Sequence, residues 1–174
     1  MGMSRLYRLP PAGARERRFG IALRADRAVT DRLDEILRAI RYVYVARHLE
    51  PVLFCLSPED RAITGKASEA LADIPCVYST DAGRIGKMSL VLSVRLHGLI
   101  LAVRGGVPAV GIAYDPKVSA FCREAGIPCA DENGITEKSL CELIETAVHM
   151  DAERLYEIAG RSRQREKQNT SQIP

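Results

Sequence analysis

Between Arg95 and Lys117 the sequence gathers two fixed cations, an imidazole, a phenol and a carboxylate: Arg95, His97, Tyr114, Asp115 and Lys117. An imidazole near neutrality can give a proton in one step and take one in the next. Guanidinium and ammonium groups hold phosphate or carboxylate oxygens through charge-assisted hydrogen bonds. The set therefore suits an anionic substrate on which a proton moves. His97 stands where a helix begins, and neighbouring N–H groups there favour an anion. Lys117 also opens a helix, where a cation opposes the dipole, so an anionic ligand would give its placement a reason. Each residue also has a plainer reading. His97 can be a structural histidine, Arg95 can pair with Asp81 or Asp115, and Tyr114 and Asp115 can simply shape the loop before Pro116.

The elements around them fix where they meet. Leu90–Val94 is an apolar, β-branched run that reads as a buried strand. A short apolar helix follows from Leu99 to Arg104, closed by Gly105 and Gly106 in the left-handed conformation that glycine adopts freely. Pro108–Ala113 is a second buried strand. Two strands and a crossover helix form a βαβ unit whose strands are parallel, so both groups of polar residues leave the sheet at one edge.

The same alternation runs through the chain. Strands are expected at Phe19–Leu23, Val52–Leu56, Pro75–Tyr78 and Ile127–Ala130. Helices fall between them: one capped by Thr30 or Asp31 and ending near His48, one opened by Ser57-Pro58-Glu59-Asp60, one ended by Gly126, one capped by Thr136 and one by Asp151. Asp81–Lys87 reads as a turn or brief helix. This pattern is an α/β fold, a Rossmann-like parallel sheet sandwiched by helices, with expected strand order 3-2-1-4-5-6. In that order strand 1 lies beside strand 4, and ligands bind at the strands' carboxyl ends near this switch point. Arg24, at the end of strand 1, would then face Arg95 and His97, and it joins the candidate set on topology alone. Residues 1–18 read as a basic linker punctuated by Pro10, Pro11 and Gly13, residues 19–160 as the domain, and residues 161–174 as a basic tail expected to fray.

Composition narrows the function classes. The 174 residues are 47% hydrophobic and 27% charged, ordinary for one globular domain, and with three Phe, six Tyr and no Trp the core must be aliphatic. A net charge of +3 without an aromatic-interleaved basic motif argues against nucleic acid as partner. Arg95, His97 and Arg104 interrupt the longest apolar stretch, so no transmembrane segment is expected. With no leader-like apolar region at the start, the expected location is the cytoplasm. Cys55, Cys76, Cys122, Cys129 and Cys141 show neither CxxC nor metal-ligand spacing and read as buried reduced thiols; no metal or cofactor is expected. His48 and His149 read as surface residues at helix ends. No GxGxxG or P-loop is present.

The stretch RLHGLILAVRGGVPAVGIAYDPKVSAF, residues 95–121, resembles the C-terminal signature of the polysaccharide pyruvyl transferase family. The likeness lies in Arg-Leu-His at a strand end, a small-residue helix, Gly-Val-Pro, and Tyr-Asp-Pro-Lys. It implies a fold like the C-terminal half of a two-domain GT-B-like protein. It also implies transfer of pyruvyl from phosphoenolpyruvate to a pair of sugar hydroxyls, as a 4,6-linked or similar ketal on a cell-wall or exported polysaccharide precursor. His97 would be the catalytic acid/base, with Arg24, Arg95, Tyr114, Asp115 and Lys117 binding substrate. The expected partners are phosphoenolpyruvate, a glycan or lipid-linked sugar acceptor, and an N-terminal half in the same gene or a split one. Two alternatives stay open: the nucleotide-sugar-binding half of a GT-B glycosyltransferase, with Asp131 or Glu132 as the only acids placed for a ribose, and a non-catalytic anion-binding remnant.

Overall fold

The computed structural model describes residues 15–171. Six parallel strands, β1 (Arg18–Ala22), β2 (Glu50–Phe54), β3 (Val77–Ser79), β4 (Leu90–Ser93), β5 (Ala109–Ala113) and β6 (Cys129–Asp131), form one sheet in the order β3-β2-β1-β4-β5-β6. This is the expected order. Register aligns the strand ends that matter, since Ala22 pairs with Phe54 on one side and with Ser93 on the other.

Alternate strand residues feed two separate cores, as a sheet covered on both faces requires. Phe19, Ile21, Leu53, Leu90, Leu92 and Ile112 point into one. There they meet α1 (Arg27–Asp31), α2 (Leu33–Arg47), α3 (Arg61–Ala70) and α6 (Glu137–Val148), through Val29, Ile36, Ile40, Ile63, Leu140 and Ile144 among others. Ala22, Val52, Phe54, Val91 and Ala109 point into the other core. That face is covered by α4 (Leu96–Arg104), α5 (Pro116–Ala125) and α7 (Ala152–Ser171). Among the described residues no helix is long and apolar enough to cross a membrane.

Several expectations are corrected in detail. The helix expected to be capped by Thr30 or Asp31 is α2, which starts from Arg32 with no side-chain cap bond; the short α1 precedes it, capped by Asp26, which accepts from the Ala28 amide at 2.9 Å. Asp26 already has the extended backbone of a cap. Of the paired glycines after α4, only Gly106 is left-handed (φ 66°). Gly105 serves close approach instead, since a Cβ there would lie 2.7 Å from the Gly86 Cα. The basic tail is helical through Ser171. It is held to the domain where Arg163 donates to the Arg104 carbonyl at 2.8 Å, Arg104 pairs with Glu166 at 3.1 Å, and Arg165 pairs with Glu124. Most of the expected linker, residues 1–14, lies outside the described residues, but its end is anchored. The Glu16 amide donates to the Lys87 carbonyl at 2.8 Å, and Arg18 already belongs to β1. The five cysteines are free thiols.

One polar cluster joins the outer helices. Glu145 on α6 accepts from Tyr42 (2.9 Å) and Arg47 (Nε, 3.2 Å) on α2. The Arg47 guanidinium, helped by the Tyr42 hydroxyl, holds the Glu145 carboxyl below the usual carboxylate range against the opposing effect of burial. A carboxyl depressed in the folded state contributes stability that is present above its unfolded pKa and lost as pH falls through the lower folded value. Glu145→Gln should therefore lower the melting temperature at pH 7 and bring it closer to wild type below the ordinary carboxylate range. Melting curves from pH 7 down to pH 3 check this, and a constant difference at every pH would exclude the ion pair as the cause.

Candidate functional site

All six expected residues lie past the carboxyl ends of their strands, on one edge of the sheet. β1 ends at Ala22 and Arg24 follows two residues on. Arg95 follows β4 by two, Tyr114 follows β5 directly, and His97 and Lys117 each stand second in their helices, α4 and α5. The parallel sheet forces this gathering, because every strand-to-helix turn opens at the same edge.

The turn after β4 is tightly built. The buried Ser93 hydroxyl accepts from the Arg95 amide at 3.1 Å and donates to the Arg95 carbonyl at 2.7 Å. The helix then passes so close that a Cβ on Gly98 would stand 2.5 Å from the Ser93 Oγ. Glycine is needed here for space. As a result α4 begins at Leu96, three residues earlier than its apolar pattern suggests, and His97 is carried in its first turn with its side chain exposed. Arg95 occupies the cap position but makes no side-chain cap bond. The neighbouring helix differs: Asp115 caps α5 by accepting from the Lys117 amide at 2.7 Å, with Pro116 in the first helical position. Asp115 therefore has a full structural explanation as a cap.

The two arginines do not face each other as expected. Each reaches across its neighbour strand in the opposite direction. Arg24 passes over β4 to Tyr114, donating to the phenol oxygen while its Cζ sits 4.3 Å from the ring centroid. Arg95 passes over β1 to the short 3₁₀ turn Pro58–Asp60 that follows β2. There its Nε and Nη2 grip the two oxygens of Asp60 at 2.7 and 2.8 Å, and Nη2 also donates to Glu59 Oε1 at 2.8 Å. Asp60 is fully buried and accepts the Ala25 amide as well, at 3.1 Å. Arg95 thus pairs as the structural reading expected, but with Asp60 and Glu59 in place of Asp81 or Asp115. Asp81 instead caps its own turn, accepting from the Gly83 amide at 3.0 Å. Hydrogen bonding to Asp60 foremost, then to Glu59, holds the Arg95 guanidinium even more firmly in its charged form. The side chains of His97 and Lys117 make no hydrogen bond or ion pair among the described residues.

Asp60 and Ser93 are the site-building residues that sequence reasoning missed. Glu59 and Asp60 read as ordinary acids of a first helical turn, which satisfies them locally. The available signal was topological, because a strand order of 3-2-1-4 places the turn after β2 on the same edge as the turns after β1 and β4. A cleft of about 770 Å³ between α2 and α6 involves Glu35, Arg38, Tyr42, Glu137, Cys141 and Glu145, and none of the six expected residues lines it. Burial foremost pushes the Cys141 thiol there up to about 11, so it is no thiolate nucleophile at neutral pH.

Residues 82–116 match the model of the polysaccharide pyruvyl transferase family. The match takes in Arg95, His97, Tyr114 and Asp115 and ends one residue before Lys117. No curated protein matches the chain in sequence.

Solved structures are similar in fold. A glycosyltransferase of kitacinnamycin superposes with a TM-score of 0.60 at 14% identity, over 100% of this chain and 47% of its own. A Methanocaldococcus jannaschii UDP-GlcNAc 2-epimerase, in complex with UDP-GlcNAc and UDP, gives 0.61 at 13% identity, over 80% and 41%. The catalytic domain of a Helicobacter pylori cholesterol-α-glucosyltransferase gives 0.55 at 12% identity, over 83% and 97%. The chain thus spans less than half of the first two. At such identities the likeness establishes an α/β Rossmann-like fold of the kind found in GT-B glycosyltransferases, as the sequence led us to expect.

Proposed function

We propose that this chain supplies the donor-binding half of a glycan-modifying transferase, and that the group transferred is pyruvyl from phosphoenolpyruvate. The observation that carries this reading is the coincidence of the family match with the polar edge. The matched stretch contains both helix starts, one capped by Asp115 and the other, beside His97, with no side-chain cap. Amide groups of the first turn of α4, the exposed imidazole and the exposed Lys117 ammonium would all address an anion brought to this edge.

In the proposed reaction His97 protonates the methylene carbon of the donor. One sugar hydroxyl attacks the adjacent carbon, and a second displaces the phosphate from it. Two carbon–oxygen bonds form and one breaks. Of the two hydroxyl protons, one balances the new methyl group and the other leaves with phosphate. Lys117 and Arg24, the latter steered by Tyr114, hold the phosphate and carboxylate, and the cations stabilise the departing group. Arg95 contributes its outward edge. The acceptor would bind against a second Rossmann-like half from the same or another chain.

A second reading has its own support. One structural neighbour is a complex with UDP-GlcNAc and UDP, so a nucleotide-sugar site is the competing proposal. Against it, Asp131 is used locally, accepting from the Gly134 amide at 2.8 Å. Thermal unfolding with phosphoenolpyruvate and with UDP separates the two. Phosphoenolpyruvate should raise the melting temperature increasingly with concentration, equivalent to about 2.7 kcal/mol at a hundred times Kd. Lys117→Ala should weaken that response without lowering the melting temperature of the free protein, because the side chain is exposed. A response to UDP alone would replace the pyruvyl reading with the nucleotide-sugar one.

A further inference from the structure

Arginine has five N–H donors in a fixed plane, and the way Arg95 spends them is uneven. Its Nε–H and one Nη2–H face Asp60 side-on, and the other Nη2–H goes to Glu59. The two Nη1–H donors make no hydrogen bond among the described residues. The remaining fork that can grip an oxyanion bidentately is the end-on pair, Nη1 with Nη2. One prong of that fork is held by Glu59. Asp60 and Glu59 are adjacent in sequence but opposite in character: the Asp60 side chain is 0% exposed and that of Glu59 is 66% exposed. Asp60 is locked in place, whereas Glu59 can turn into water at little cost.

We infer that Glu59 is an intramolecular competitor for the anion, occupying with its own carboxylate the edge of Arg95 that a phosphate or carboxylate oxygen of the ligand would take. The inference rests on the reading that Arg95 meets an anionic substrate. It gives the two acids opposite tasks: Asp60 orients the guanidinium and leaves its outer edge available, and Glu59 sets how tightly that edge binds. An anion must displace Glu59 to make both bonds. Weakly bound anions in the surroundings therefore gain less from this edge than a ligand that also engages Lys117 and the start of α4.

Titration calorimetry of the 174-residue protein with inorganic phosphate and with phosphoenolpyruvate tests this. Glu59→Gln should tighten binding about two- to fivefold, the range expected for release of one exposed ion pair. Glu157→Gln makes the same charge change on α7, and it should leave the affinity unchanged. A merely structural Glu59 would give unchanged or weaker binding when neutralised, and either result overturns the inference while leaving the anion site intact. Equal tightening in both variants would reduce the effect to net charge and also overturn it. If neither anion binds wild type or Glu59→Gln, the anion reading of this edge fails first and the competitor falls with it.

Discussion

Asp60→Ala should destabilise the domain by about 3–5 kcal/mol, the range for removing one partner of a buried ion pair. The cause is what remains behind. Arg95, only 16% exposed, would keep its charge with Glu59 as its one acidic partner, and the Ala25 amide would lose its acceptor. Replacing both partners by apolar residues, Asp60→Leu with Arg95→Met, should cost less than the single change, because no charge is stranded. Urea denaturation midpoints at constant slope measure the difference. A midpoint for Asp60→Ala within experimental error of wild type would mean that the grip on Arg95 contributes nothing to folding.

Under the proposed pyruvyl transfer, His97→Ala should leave the fold intact and lower turnover by at least about a hundredfold, the lower end of what a positioned acid or base contributes. Because the imidazole is exposed and makes no hydrogen bond among the described residues, its loss should change stability by no more than about 0.5 kcal/mol. Phosphate release from phosphoenolpyruvate would be measured with the second Rossmann-like half proposed above supplied in the same chain or as a partner, alongside calorimetric binding of phosphoenolpyruvate. Binding that survives while turnover collapses is the expected pattern. Binding and turnover lost in proportion would make His97 a contact for the donor instead of a proton carrier.

The fold was legible because two strong signals agreed: apolar runs of strand length alternated with capped, amphipathic helices, and parallel topology leaves few ways to arrange them. The ends of elements were less legible. The strand read as Val52–Leu56 runs from Glu50 to Phe54 because pairing sets it, with Glu50 and Pro51 opposite Arg18 and Phe19. The last helix lost its signal beyond Gly160, where apolar periodicity stops, and is held there by contacts such as Arg163 with the Arg104 carbonyl that no local window contains. The candidate residues came together on one edge for the same reason the fold was readable. Their pairing was not readable, since Arg95 meets a carboxylate 35 positions away and Arg24 a phenol 90 positions away. Such partners depend on which strand lies next to which and on the direction each side chain takes over it.

The single acceptor shared by Arg95 and the Ala25 amide also bears on motion. Three turns, after β1, β2 and β4, are joined through one buried carboxylate, so none of them can open far without breaking a bond to Asp60. Such turns would ordinarily fluctuate independently; here each loses a bond to the shared carboxylate when it moves away from the others. The Ala25 amide is thereby held by the same carboxylate that orients Arg95, so the backbone after β1 and the guanidinium after β4 are tied to one point.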